Sequence, residues 1–213
     1  MFPSPIPIFP LPSVVLFPNV FLPLHIFESR YRQMVADALA GDRIIGMVVL
    51  RQGFETDYEG RPPIYGTGCS GLITHVERTD DGRFNLILRG LEKFTVHGEE
   101  DPRTGQQYRR ALVTTIDESV PAAHKKALSQ ERQRLETVLP PLFDGALAGP
   151  RLPAAMPDED LVNALAQYLE FDPLEKLALL ECPGPLARCR SMVELLEMKA
   201  LIAKGAGGGG TVH

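Results

Sequence analysis

The stretch "YGTGCSGLITHVERTDDGRFNLILRG", residues 65–90, decides the fold. It opens with Gly66, Gly68 and Gly71 in the G-x-G-x-x-G order of a dinucleotide-binding turn. That fingerprint works only when a strand enters it and a helix leaves it, because the pyrophosphate rests on the helix N-terminus. The residues after Gly71 do not have a helical pattern. Leu72, Thr74 and Val76 alternate with Ile73, His75 and Glu77 in the period of two that marks a strand. Asp81-Gly82 then suits a type I′ hairpin turn, and "FNLILRG" and "EKFTVHG" carry the meander onward. The glycines are therefore expected in a strand or bulge where the sheet bends, with no phosphate or other cofactor bound there.

Upstream, residues 1–27 contain no charge, seven prolines and five of the ten phenylalanines. So many prolines forbid a membrane helix or signal-peptide core, and the first basic residue is Arg30. The segment reads as two or three short buried strands near Ile6–Phe9, Val14–Phe17 and Phe21–Leu24. A helix is expected over Glu28–Ala40, with Met34, Val35, Ala38 and Leu39 as its apolar face and Gly41 as its C-cap. Within it Glu28 and Arg32 are spaced for an (i, i+4) ion pair. "IIGMVVL" (44–50) is a buried strand, and "YRRALVTTID" (108–117) makes a last one.

From Pro121 the periodicity becomes helical. A long polar helix carries a thin stripe of Leu128, Leu135, Val138 and Leu139, ended by Pro140-Pro141 and a Gly/Pro/Ala linker. Leu161, Leu165 and Leu169 mark a second helix, with Val162 and Ala166 beside them. Asp172, Pro173 and Glu175 begin a third in a capping-box arrangement, and Leu186, Cys189, Val193, Leu196 and Ala200 form the seam of a fourth that Gly205 ends. The expectation is an α+β chain: a β-rich part over 1–117 containing one helix, a helical part over 118–205, and a disordered glycine-rich tail over 206–213.

The net charge of −5 is spread over both parts, without the basic surplus that phosphate binding requires. Three cysteines at irregular spacing make neither a disulfide framework nor a zinc site, which points to a reducing cytoplasm. No two of the five histidines are spaced for a shared metal, and His25, inside an apolar strand, reads as a core residue. Cys69 and His75 lie about 20 Å apart if they share a straight strand, too far for a nucleophile and its base. Walker and G-x-S-x-G motifs are absent, so no catalytic residue is assigned. Arg132 and Arg134 read as a solvated helix face. The candidate binding feature is an apolar groove with Phe17, Pro18, Phe21 and Tyr31 beside a polar rim.

The order of "FPLPSVVLFPNVFLPLHIFESRYRQMVADAL", then the stretch from Tyr65 through "GLEKFTV", then "LVNALAQYLEFDPLEKLALLECPGPLARCRSMVELLE" resembles the N-terminal substrate-recognition domain of Lon proteases over about residues 6–203. The resemblance implies a PUA-like β-barrel followed by a helical bundle. It implies a non-catalytic module that binds unfolded or degradation-tagged polypeptide, with Lon's ATPase and protease modules missing from this sequence. An adaptor or modulator of proteolysis, with polypeptide segments or a protease as partners, is the function expected. RNA binding by a PUA-like fold, or a small ligand held between barrel and helices, is the alternative.

Overall fold

The computed structural model describes residues 2–54, 60–139 and 156–207, with side chains to 202. Most of the linker expected after Pro140 and the tail from 208 onward lie outside these residues. The chain folds into two compact units, one made of Met1–Glu118 with Ala166–Glu181 and the other of Ser119–Leu165 with Cys182–His213.

The first unit is built on six strands: β1 (Ile6–Leu11), β2 (Phe21–Ile26), β3 (Ile44–Leu50), β4 (Ile64–Arg78), β5 (Phe84–Glu99) and β6 (Arg109–Ile116), with helix α1 (Ser29–Ala40) between β2 and β3. The sheet order is β2-β5-β4-β3-β1-β6, and β6 pairs with β5 as well as with β1. Only β1 and β3 run parallel, Ile8 lying opposite Gly46. The glycine motif sits inside β4, a 15-residue strand that runs unbroken to Arg78, so no helix begins at Gly68–Gly71. β5 is one 16-residue strand where two were expected. Strands so much longer than the usual five or six residues must bend. Register shifts at Cys69/Gly71, Ile73/His75 and Val96/Gly98 supply the bulges.

Glycine lets the sheet close over a ring. Phe94 is fully buried in a cluster with Ile6, Ile8, Val48, Ala111 and Val113. A methyl group on Gly46 would meet Ile6 and Phe94, and one on Gly68 would meet the Met47 carbonyl and Phe94. Within the motif, Gly68 and Gly71 are thus packing positions.

Three local expectations are corrected. Val15, Leu16 and Phe17 are buried but not in a strand. Phe17 N–H donates to Gln167 Oε1 and its carbonyl accepts Val20 N–H, so the end of this run bonds to a helix and a turn rather than to a ladder. The Asp81-Gly82 turn is not type I′, because Gly82 alone has positive φ there. Gly82 N–H bonds Thr79 O and Thr79 N–H bonds Arg83 O, a type I turn closed by a glycine bulge. Gly41 is the C-cap of α1 as expected, with φ −120°, and the left-handed residue after the helix is Arg43. Glu28 meets Arg30 at 2.9 Å rather than Arg32.

The second unit contains α2 (Ala122–Val138), most of α3 (Asp158–Tyr168) and α5 (Pro185–Gly207), which runs two residues beyond Gly205. Leu128 and Leu135 of α2 and Cys189, Val193 and Leu196 of α5 are buried as their periodicity dictates. Burial pushes the Cys189 thiol up to about 12, with Glu131 and Asp158 adding to the effect. Cys182 is half-buried in the connection before α5. Arg132 is not a solvated side chain: it bridges Glu136 and Asp158 and donates to the Met156 carbonyl. Arg188 is fully buried, its Nη1 donating to Asn163 Oδ1 at 2.5 Å. Helix α4 (Pro173–Glu181) belongs to the first unit, and Glu175 accepts the Asp172 N–H at 2.8 Å as the capping box requires.

Candidate functional site

Strand β2 pairs only with β5 and therefore forms an edge of the sheet. Period-two alternation turns Leu22, Leu24 and Ile26 inward and Phe21, Pro23 and His25 outward, and Phe27 continues the outer row. Phe21 is 51% exposed and Phe27 59% exposed, so the row is an apolar stripe on the surface. His25 belongs to this row and is not a core residue. Its Nδ1 lies 2.7 Å from Asn85 Oδ1 on the neighbouring strand.

The hydrogen-bond phase of the edge is set by one contact. Gly90 N–H donates to Val20 O, so Val20, Leu22 and Leu24 direct their backbone groups toward β5. Phe21, Pro23 and His25 direct theirs outward. Pro23 has no N–H to offer, and the Phe21 carbonyl already accepts the Tyr168 hydroxyl at 2.7 Å. The edge is blunted against strand addition while its side chains remain available. Tyr168 is itself 64% exposed and widens the apolar surface beside Phe21.

Behind the stripe the support is rigid. An added Cβ on Gly90 would lie 2.0 Å from the Phe17 carbonyl oxygen, so the turn at Phe17–Val20 packs directly on β5. Gln167, which holds Phe17 N–H, gives its own carbonyl to Lys176 Nζ at 2.6 Å, and burial holds the Lys176 ammonium below its ordinary pKa.

Of the four candidate residues, Phe21 alone presents a large exposed side chain. Phe17 is fully buried under the turn. Pro18 is buried at the floor of a small cleft with Leu91, Lys93 and Glu118, where Lys93 and Glu118 form an ion pair at 2.7 Å. Tyr31 packs on Phe9 with ring centroids 4.3 Å apart, under the Arg30 guanidinium, and lines a different cleft. Sequence reasoning missed Phe27, Gln167 and Tyr168. Phe27 could have been found by continuing the β2 alternation past Ile26, whereas nothing local announces that a helix 140 residues later supplies the other two.

Among the described residues no group of three or more His, Cys, Asp or Glu is placed to hold a metal ion, and no helix is long and apolar enough to cross a membrane.

Residues 5–198 match the family model described as the ATP-dependent protease La (LON) substrate-binding domain. The chain is 27% identical to "Lon protease 2" of Myxococcus xanthus over 214 residues, covering 95% of this chain and 24% of that protein. It is 26% identical to "Lon protease" of Anaeromyxobacter dehalogenans, with the same coverages. The chain thus spans about a quarter of the length of these curated relatives. Among solved structures it is similar to the Lon N-terminal domain protein of Xanthomonas campestris, with TM-score 0.61, 22% identity, and coverage of 90% and 98% of the two chains. It is also similar to the N-terminal domain of the Mycobacterium avium complex Lon protease, with TM-score 0.65, 16% identity, and coverage of 91% and 98%.

Proposed function

The chain belongs to the LON substrate-binding domain family, and from that premise we propose that it is a non-catalytic module that captures unfolded polypeptide on the β2 edge. The exposed row of Phe21, Pro23, His25 and Phe27 carries the reading. An unfolded chain differs from a folded one mainly in the apolar side chains it exposes, and a rigid apolar stripe recognises that difference. Because Pro23 lacks an N–H and Tyr168 takes the Phe21 carbonyl, strand addition is disfavoured on this edge, and side-chain burial supplies the affinity. Phe21 is the contact residue among the four candidates. Phe17, Pro18 and Tyr31 act beneath the surface by fixing the turn and α1.

The role extends to that of an adaptor or modulator that holds a client for a protease acting elsewhere. We read the sheet as a PUA-like barrel, a reading supported by the pairing of β6 with both β1 and β5. Fluorescence anisotropy with a labelled, permanently unfolded protein tests the binding. The full chain should bind it, and Phe21→Ser with Phe27→Ser should weaken binding about tenfold or more, since each ring contributes about 1–2 kcal/mol when covered. Unchanged affinity in a folded double variant would rule out the stripe as the binding surface.

A further inference from the structure

We propose that His25 makes capture on the β2 edge pH-dependent, the stripe holding an apolar polypeptide segment while the imidazole is neutral and losing it as the ring takes up a proton. The inference rests on the polypeptide-binding reading and adds a control to it. In the outer row of Phe21, Pro23, His25 and Phe27, His25 is the single polar side chain. Its ring stacks beside that of Phe27, with centroids 6.3 Å apart and 25° between the planes. The row spans about 20 Å of extended chain. A segment that covers both exposed phenylalanines therefore covers the imidazole between Pro23 and Phe27.

The surroundings supply no carboxylate in contact with a covered imidazolium. Across the ladder His25 faces Asn85 of β5, and its Nδ1 lies 2.7 Å from Asn85 Oδ1. Asn85 in turn faces Glu77 of β4, which places that exposed residue two strands away, about 10 Å between backbones, with Asn85 between them. The other charged or titratable groups on this face are His75, in the row of Pro23 and Ile87, and Arg89, which is opposite Phe21 and donates to Asn19 Oδ1. At the near end Arg83 pairs with Asp81, and Arg78 lies over the Phe84 ring. After the strand Glu28 is paired with Arg30, and from α3 Tyr168 meets the row at Phe21. Among the described residues the partner of the imidazole is the neutral Asn85.

Coverage separates the two charge states. With Asn85 Oδ1 as its partner, Nδ1 carries the hydrogen, and Nε2 is left to take a second one. Covering the neutral ring removes water from one acceptor. Covering the imidazolium strips hydration from a full charge, which costs far more when no carboxylate replaces the water. The free protein therefore binds that proton better than the complex does. By linkage the same difference weakens the polypeptide complex when the proton is present. Histidine changes charge between about pH 8 and pH 5, so affinity is full at the upper end of that range and is lost as pH falls.

The test titrates an end-capped, unstructured peptide of leucine and asparagine, which carries no ionisable group, with the full chain. A dye of constant charge on the peptide reports binding by anisotropy. Affinity at about pH 5.5 should be about fivefold to tenfold weaker than at about pH 8. His25→Gln should bring the two affinities within about twofold of each other, whatever it does to binding itself, because no titrating group then remains in the row. His75→Gln should keep the ratio of the parent. Both positions are exposed, and unfolding midpoints that match the parent at each pH will show that the variants fold. Equal affinities at the two pH values in the parent, a ratio that survives in His25→Gln, or one that is lost in His75→Gln would each overturn this inference and leave the polypeptide-binding reading standing. Failure of the peptide to bind at either pH would overturn the two together.

Discussion

Gly66 and Gly68 stand two residues apart in one motif and carry opposite constraints. A methyl group at Gly68 would lie 2.5 Å from the Met47 carbonyl and 2.6 Å from the Phe94 ring, whereas at Gly66 it would meet nothing within 4 Å. Gly68→Ala should therefore cost about 2–4 kcal/mol in a urea unfolding measurement, because backbone and a buried ring must both shift. Gly66→Ala should stay within about 0.5 kcal/mol of the parent, or gain slightly from a stiffer unfolded chain. The alternation after Gly71 was enough to reject a cofactor turn from sequence. Which glycine is indispensable was not legible, because the obstructing atoms come from β3 and β5. His25 misled for a related reason. Its apolar neighbours suggest a core residue, but its parity with Phe21 and Pro23 puts it outside. Arg188, Asn163 and Gln167 were invisible as buried residues, since a polar side chain reads as exposed until its partner is known.

Elements were legible where one periodicity persisted and were misread where the backbone found other partners. The apolar Val14–Phe17 run has the composition of a strand, but Gln167 and the turn at Asn19 take its hydrogen bonds. Helix α3 was expected to be marked by Leu161, Leu165 and Leu169, with Val162 and Ala166 beside them. Leu161, Val162 and Ala166 are buried as expected, but Leu165 and Leu169 are only half-buried and the polar Asn163 and Gln167 complete the inner face. At the far end of β5, Glu99 shows how two elements are tied. Burial alone would raise its pKa, but hydrogen bonds from Arg109 and Arg61 outweigh that and hold it below the ordinary glutamate value. A carboxylate with a depressed folded-state pKa stabilises above its unfolded pKa, and that stability is lost as pH falls through the folded pKa. The thermal midpoint should accordingly fall as pH drops below about 4.5. Glu99→Gln should start lower at neutral pH and show a shallower acid decline. Parallel pH profiles of parent and variant would contradict this coupling.

For the molecule as a whole, composition, the shift from strand to helical periodicity near Pro121 and the order of three segments were enough to reach the family. The binding surface was only partly legible. Phe21 was named from its place in an apolar run, while the stripe it belongs to became visible only once β2 was known to be an edge strand and Tyr168 was seen to meet it. A single surface row backed by a rigid turn makes a location-specific claim, unlike general stickiness, and amide hydrogen exchange of the full chain with and without a permanently unfolded polypeptide tests it most directly. Capture on the β2 edge predicts slowed exchange in the segment spanning residues 21–27, with helix α2 unchanged. Binding that leaves residues 21–27 unprotected, or protects α2 instead, would contradict it.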